Sequence, residues 1–182
     1  MIINGPGLPA GGRSEALVHH VDLFPTLCEL TGVPRPASAC DGFSLVPLMR
    51  GEVARVREEV FCEFVSPEVH GGPMRHTQRA VRTERWKLTW FPQIGRYQLF
   101  DLRHDPHELA DLLVPWRRRQ RGYVADGVKL WQREKWAPRD LRPVYTQAEI
   151  AEVAADLHRR LIAHMERNAD PALAAQRPPS PV

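Results

Sequence analysis

A chain of 182 residues, 43% hydrophobic and 26% charged, has room for one domain or for two small lobes sharing a core, and excludes wholesale disorder, a collagen-like repeat and a coiled-coil rod. No apolar run approaches the roughly 18–20 residues needed to cross a bilayer, so no membrane partner is expected. The formal charge of +3 does not demand nucleic acid, and 17 prolines against 12 glycines point to many short connections.

Residues 1–7, Met-Ile-Ile-Asn-Gly-Pro-Gly, lack the basic start and long apolar stretch of a signal peptide. The three cysteines, Cys28, Cys40 and Cys62, are odd in number, widely spaced and form no Cys-x-x-Cys pair, so free thiols, mostly buried, are expected. Read from Met1 as its start, the chain is expected to be cytoplasmic.

Residues 1–13 are Gly/Pro-rich loop, and 15–21 can form a strand. Asp22 stands as a helix N-cap with Pro25 in the first turn. Phe24, Leu27, Cys28 and Leu30 keep helical spacing, and Gly32 is the stop. Asp41-Gly42 marks a turn, and Ser44 caps a short helix through Met49 that ends at Gly51. Val60–Val65 reads as a strand with Val60, Cys62 and Phe64 on one face. A loop over 66–77 leads to a hairpin, Arg79–Thr83 and Trp86–Phe91, around Glu84-Arg85. Tyr97–Leu102 is a further strand, Asp105-Pro106 a turn, and His107–Leu113 a short helix. Thr146 with Glu149 forms a capping box, after which Ile150, Val153, Leu157, Leu161 and Met165 make an apolar stripe to about Arg167.

The order of elements implies an antiparallel sheet with a helix on one face over 58–167, carrying an irregular insertion at 114–145, followed by a disordered tail over 168–182. Residues 1–57 read as the tail end of something larger, because one strand with one helix cannot bury both of its faces alone.

The ordered set of motifs resembles the C-terminal part of the sulfatases, of the alkaline-phosphatase-like superfamily. The pieces are Pro6-Gly7 with Gly12-Arg13-Ser14, then Val21-Asp22-Leu23-Phe24-Pro25-Thr26-Leu27 ending at Gly32. Next come Asp41-Gly42-Phe43-Ser44-Leu45 with Pro47-Leu48 and Gly51, then Arg79-Ala80-Val81-Arg82-Thr83 leading into Trp86-Lys87-Leu88. Last are Leu99-Phe100-Asp101-Leu102, Asp105-Pro106-x-Glu108, and Asp111-Leu112 where the family usually has Asn-Leu.

The resemblance implies an α/β fold, in which residues 1–57 end the large mixed sheet and 58–167 supply the small antiparallel sheet packed with a C-terminal helix. It implies hydrolysis of sulfate esters by a full-length parent that uses a calcium-type divalent metal and a formylglycine made from a Cys/Ser-x-Pro/Ala-x-Arg motif. Cys28, Cys40 and Cys62 all lack that context, and no position here matches the family's metal ligands. The chain is therefore expected to hold no catalytic residue, metal ligand or cofactor of its own, and to be inactive alone. Sulfate-ester hydrolysis needs an activated nucleophile and cations on the sulfate oxygens. The densest acidic run, Asp101, Asp105, Glu108 and Asp111, reads instead as carboxylates that cap backbone N–H groups.

His70, Arg75 and His76 lie in the 66–77 loop, which can reach a site mouth, and an Arg fork fits sulfate; a solvated loop is the plain alternative. Arg79 and Arg82 alternate with Ala80 and Val81 on a strand, as an inward salt bridge or an exposed face. Arg82 and Lys87 are kept as substrate-side candidates. Pro106 between His104 and His107 favours a turn over a metal pair. His19 and His20, alternating on a strand, cannot ligate one ion. His158 and His164 are expected on the surface of the last helix.

Residues 115–142 hold nine basic and three acidic residues, a local charge of +6, interleaved with Trp116, Tyr123, Trp131 and Trp136. Such a stretch can pack on the parent domain or on a second copy of the chain, attract a sulfated substrate, or bind nucleic acid or another polyanion. Three readings stand: the C-terminal part of a sulfatase, contributing sheet completion and pocket shape; a non-catalytic polyanion-binding module; and a subunit pairing with a separate catalytic half. The last predicts an exposed apolar surface around Leu17, Val21 and Phe24. Choline sulfate, aryl sulfates, sulfated sugars, and phosphonate or phosphate esters all remain as substrates of a complete enzyme.

Overall fold

The structure, a computed structural model, describes residues 1–36, 41–65, 77–113, 145–175 and 180–181. They fall into two units, Met1–Val60 and Phe61–Val182.

In the first unit, residues 1–19 form neither helix nor strand, so the strand expected over 15–21 is absent. The Asp22 carboxylate accepts the His19 N–H at 2.7 Å and closes a 3-10 turn, His20–Asp22. Side-chain bonds of this kind draw the backbone away from extended pairing. Helix α1, Leu23–Thr31, follows and ends at Gly32 in the left-handed region (φ 70°), where the Val33 N–H donates to the Cys28 carbonyl at 3.0 Å.

Asp22 precedes α1 but its side chain does not cap that helix. It is fully buried and also accepts the Phe43 N–H at 2.9 Å and the guanidinium of Arg57. The Thr26 hydroxyl donates to the Asp22 carbonyl at 2.5 Å and accepts the Leu45 N–H at 2.9 Å. These bonds tie α1 to the turn that starts α2, Val46–Met49, where the Ser44 hydroxyl accepts the Val46 N–H at 3.2 Å. Gly42 lies so close to the Val21–Asp22 backbone that a Cβ there would overlap the Val21 carbonyl.

The sheet has four strands in the order β1 (Glu59–Val65), β2 (Thr77–Thr83), β3 (Trp86–Phe91) and β4 (Arg96–Asp101). The hairpin forms as expected, with Val81 opposite Leu88 and Leu88 opposite Leu99. Strand β1 departs from its expected alternation: Val60 is buried, whereas Cys62 and Phe64 are exposed on this edge strand. Helix α3, Gln147–Arg167, starts at the expected capping box of Thr146 and Glu149. Ile150, Ala154, Leu157, Leu161 and Met165 bury its inner face against Val81, Leu88, Trp90, Tyr97 and Leu99, with Val153 half-buried. Each fully buried Leu, Ile or Met stabilises by about 1.5–3 kcal/mol.

Two expected segments differ. The helix over His107–Leu113 is replaced by turns along β4. The Asp105 carboxylate accepts the Ala110 N–H at 2.8 Å, and the Leu112 N–H donates to the Leu99 carbonyl at 2.8 Å. These partners take N–H groups that a helix would use internally. The tail expected to be disordered from 168 includes a short helix, α4 (Pro171–Ala175). The Asp170 carboxylate accepts the Ala172 N–H at 2.8 Å and grips buried Arg79 at 2.5 and 2.9 Å. No helix among the described residues is long and apolar enough to cross a membrane.

Replacing Asp22 with Ala leaves the Phe43 N–H and the Arg57 guanidinium unpaired, at a cost of about 2–4 kcal/mol. All five tryptophans lie in the second unit, so tryptophan fluorescence follows that unit alone. In Asp22→Ala, amide exchange in α1 and at Phe43 should accelerate about 30- to 1,000-fold while the fluorescence-detected transition stays in place. Unchanged protection at Phe43 would contradict this account of Asp22.

Candidate functional site

Among the sequence-predicted site residues, His70, Arg75 and His76 lie outside the described residues, as does nearly all of the basic insertion, 114–144. Arg82 and Lys87 face each other across the hairpin on the side of the sheet away from α3. Arg82 is exposed. Lys87 is committed: its Nζ donates to both carboxylate oxygens of Glu108, at 2.9 and 2.7 Å. Glu108 adopts φ 56°, a conformation disfavoured for residues with a Cβ. The ion pair holds the Asp105–Glu108 turn onto β3.

A denser polar cluster sits at the end of the sheet, around Asp101, whose role the local pattern gave only as a turn carboxylate. Asp101 Oδ2 accepts the Tyr145 hydroxyl and the Arg85 guanidinium (3.2 Å) and lies 2.8 Å from His104 Nδ1. Its Oδ1 accepts the Arg103 N–H at 3.0 Å. Arg85 also donates to the Tyr145 hydroxyl at 2.7 Å and stacks over Trp86, 4.6 Å from the ring centroid. Burial pushes the Asp101 pKa up, but hydrogen bonds from Tyr145, His104, Arg85 and Arg103 outweigh it and hold the carboxyl at about 2. Burial and the neighbouring Asp101 push the Tyr145 phenol up.

Asp111 lies on the other flank of the insertion. Its Oδ1 accepts the Leu99 N–H at 3.1 Å and the Leu113 N–H at 3.0 Å. The described ends of the insertion, Leu113 and Tyr145, are thus both tied to β4 through buried carboxylates. The signal for this was not local, since Arg85, Asp101 and Tyr145 are far apart in sequence.

His104 faces the Asp101 carboxylate within the turn expected there. His19 and His20 are in the 3-10 turn and its cap, not on a strand, with rings 6.0 Å apart. His158 and His164, expected on the surface, are half-buried: His164 stacks on Phe61 at 3.8 Å and His158 meets Tyr97 edge-on at 5.5 Å. Cys28 is buried and Cys62 exposed, both free; Cys40 lies outside the described residues.

A calcium-type metal does not fit the described residues. No three His, Cys, Asp or Glu side chains among them group so as to hold an ion. The acidic run already receives backbone N–H groups or cations, leaving no hard-oxygen cage of the kind a divalent cation requires. The first unit carries a cleft of about 570 Å³ lined by Ile2, Ile3, Val18, Leu45, Leu48 and Met49 among others. On α1, Pro25, Thr26 and Cys28 are buried, while Leu23, Phe24 and Leu27 are exposed together with Val21 just before the helix.

Comparison with known proteins bears on this arrangement. The family described as N-sulphoglucosamine sulphohydrolase, C-terminal, matches residues 1–120. The chain is similar to human arylsulfatase K, 31% identical over 119 residues that cover 63% of this chain and 22% of that protein. It is also similar to the delta 4,5-hexuronate-2-O-sulfatase of Bacteroides thetaiotaomicron, 33% identical over 119 residues, covering 61% of this chain and 23% of the relative. Among solved structures, that of BT4656 in complex with its substrate D-glucosamine-2-N,6-O-disulfate aligns with a TM-score of 0.59 at 20% identity, covering 91% of this chain and 28% of that one. The likeness to that structure is one of fold. The chain spans about a fifth of the length of the curated relatives it matches.

The Asp101 cluster predicts an acid-sensitive sheet end. The folded carboxyl titrates below an ordinary aspartate, so its stabilisation is intact above about pH 5 and is lost as pH falls from about 4 to 2. The fluorescence-detected unfolding midpoint of the chain should fall more steeply over that range than that of Asp101→Asn. Parallel curves would contradict the account.

Proposed function

Because the chain belongs to the C-terminal sulfatase family described as N-sulphoglucosamine sulphohydrolase, C-terminal, we propose that it is the C-terminal part of a sulfate-ester hydrolase, working by completing the fold and shaping the substrate pocket of a catalytic portion. The nucleophile and the divalent cation belong to that portion, whether it is continuous with this chain or a separate subunit. The 182-residue chain by itself does not turn over sulfate esters.

One observation carries this reading: the outward face of α1. Exposed Leu23, Phe24 and Leu27 with Val21 form an apolar surface on a unit that buries the opposite side of the same helix. Contiguous apolar surface of this kind marks an interaction site. The relatives extend about four-fifths beyond the matched part, and this reading places the partner of that surface there. Exposed Arg82 and paired Lys87, with His70, Arg75 and His76, are the substrate-side candidates, and a sulfated small molecule or sugar is the substrate class.

The test uses an aryl sulfate, with calcium, and a sulfatase catalytic portion lacking its own C-terminal part. The pure chain should show no metal-dependent turnover. Added to the catalytic portion, it should raise turnover, and Phe24→Asp with Leu27→Asp should reduce that gain at least about tenfold. Turnover by the pure chain alone, or an undiminished gain with the doubly substituted chain, would overturn the reading.

A further inference from the structure

Among the described residues of the second unit, five buried side-chain polar atoms have no hydrogen-bond partner; apart from one oxygen each of Asp105 and Asp111, they are Trp90 Nε1, the Tyr97 hydroxyl and His158 Nε2. Their rings form a continuous stack between the sheet and α3. Trp90 and Tyr97 are cross-strand partners, 6.4 Å apart and inclined by 24°. His158 reaches from α3 and meets Tyr97 at 5.5 Å and 83°. Trp90 is 0% exposed and Tyr97 5%. The indole offers only a donor, whereas the phenol and a neutral imidazole each offer a donor and an acceptor.

The charged groups on the elements around α3 are engaged elsewhere. From β2, Arg79 is held by Asp170 beside α4, with Glu63 of β1 3.9 Å away. From β4, Asp101 is held by Arg85, Tyr145 and His104, and Arg96 lies 3.6 Å from Asp111. On this side β3 presents Trp86, Leu88 and Trp90, its Lys87 being on the opposite face. On α3 itself, Asp156 pairs with Arg159 and Arg160, and His164 lies on Phe61. None of these carboxylates forms an ion pair with His158.

We propose that His158 is an acid-responsive latch between α3 and the sheet: neutral, it packs edge-on against Tyr97; protonated, it places an unpaired cation in the helix–sheet interface and loosens α3. Burial accordingly lowers the His158 pKa and raises that of the Tyr97 phenol. With the folded pKa below that of an unfolded histidine, about 6.5, the stabilisation is intact above that pH. It is lost as pH falls further, and the opening equilibrium of α3 rises by up to about tenfold per pH unit.

The test is amide exchange in α3 of the 182-residue chain, corrected for intrinsic rates, for the unaltered chain and for His158→Gln between pH 7.5 and 5.0. Over that interval the unaltered chain should lose protection relative to His158→Gln, by up to about tenfold per pH unit below 6.5. Equal pH dependence in the two would overturn the proposal. Should His158→Gln fail to fold, titration of the His158 ring by proton resonance in the unaltered chain decides. A midpoint below 6.5, coincident with a shift of the Trp90 indole N–H, supports the latch, and an ordinary midpoint rejects it.

Discussion

A carboxylate taken entirely out of water decides which way α1 faces. Asp22 has no exposed surface, and a buried carboxylate without donors is too costly to persist. It finds donors at His19, Phe43 and Arg57, three places separated in sequence but brought to one point. Thr26, one turn along α1, fixes the same side of the helix through the Leu45 N–H. With that side held inward, Phe24 and Leu27 have nowhere to go but out. The apolar outer face thus follows from the polar inner one, and the docking role proposed for the unit rests on Asp22 as much as on the residues that would make contact.

The second unit resolves the opposite problem. Its core residues are enclosed by α3, and several of its charges are matched in pairs: Arg79 with Asp170, Lys87 with Glu108, Arg85 with Asp101. The buried pair, Arg79 with Asp170, adds little net stability over an apolar filling, yet is costly to break, so it fixes register more than it adds strength. Arg79 with Asp170 sets where the chain after α3 returns to the sheet. Asp101 and Asp111 set where the insertion leaves and rejoins. The sheet end becomes a platform with fixed attachment points.

Much of this was legible in the sequence because it rests on local rules. The hairpin around Glu84-Arg85, the stop at Gly32, and the capping box of Thr146 and Glu149 need only near neighbours, and they formed where expected. The errors share one cause. The strand at 15–21 and the helix at 107–113 had adequate propensity, but carboxylates at Asp22, Asp105 and Asp111 took the His19, Ala110 and Leu113 N–H groups on which those elements would depend. His158 and His164 read as surface because α3 has a clear apolar stripe without them. Tyr97 and Phe61 widened that stripe from other strands, 61 and 103 residues away. The pair Arg82 and Lys87 was visible as residues, but not the prior claim of Glu108 on Lys87.

Sulfate-ester hydrolysis divides its demands in a way that suits such a chain. Bond breaking needs a nucleophile and a cation at the sulfur, and these have strict geometry. Discrimination between sulfate esters depends on the alcohol part, which lies farther out, and remote contacts act on rate by holding the substrate in register with the reacting atoms. Outer contacts need rigid scaffolding more than special reactivity. A hairpin whose cross-strand Lys is locked to Glu108, and whose end is clamped by Asp101, offers that rigidity. In the proposed function, exposed Arg82 on this hairpin is the group that selects among anionic groups by position. On the proposed function, the catalytic portion keeps the chemistry and this part selects what it is applied to.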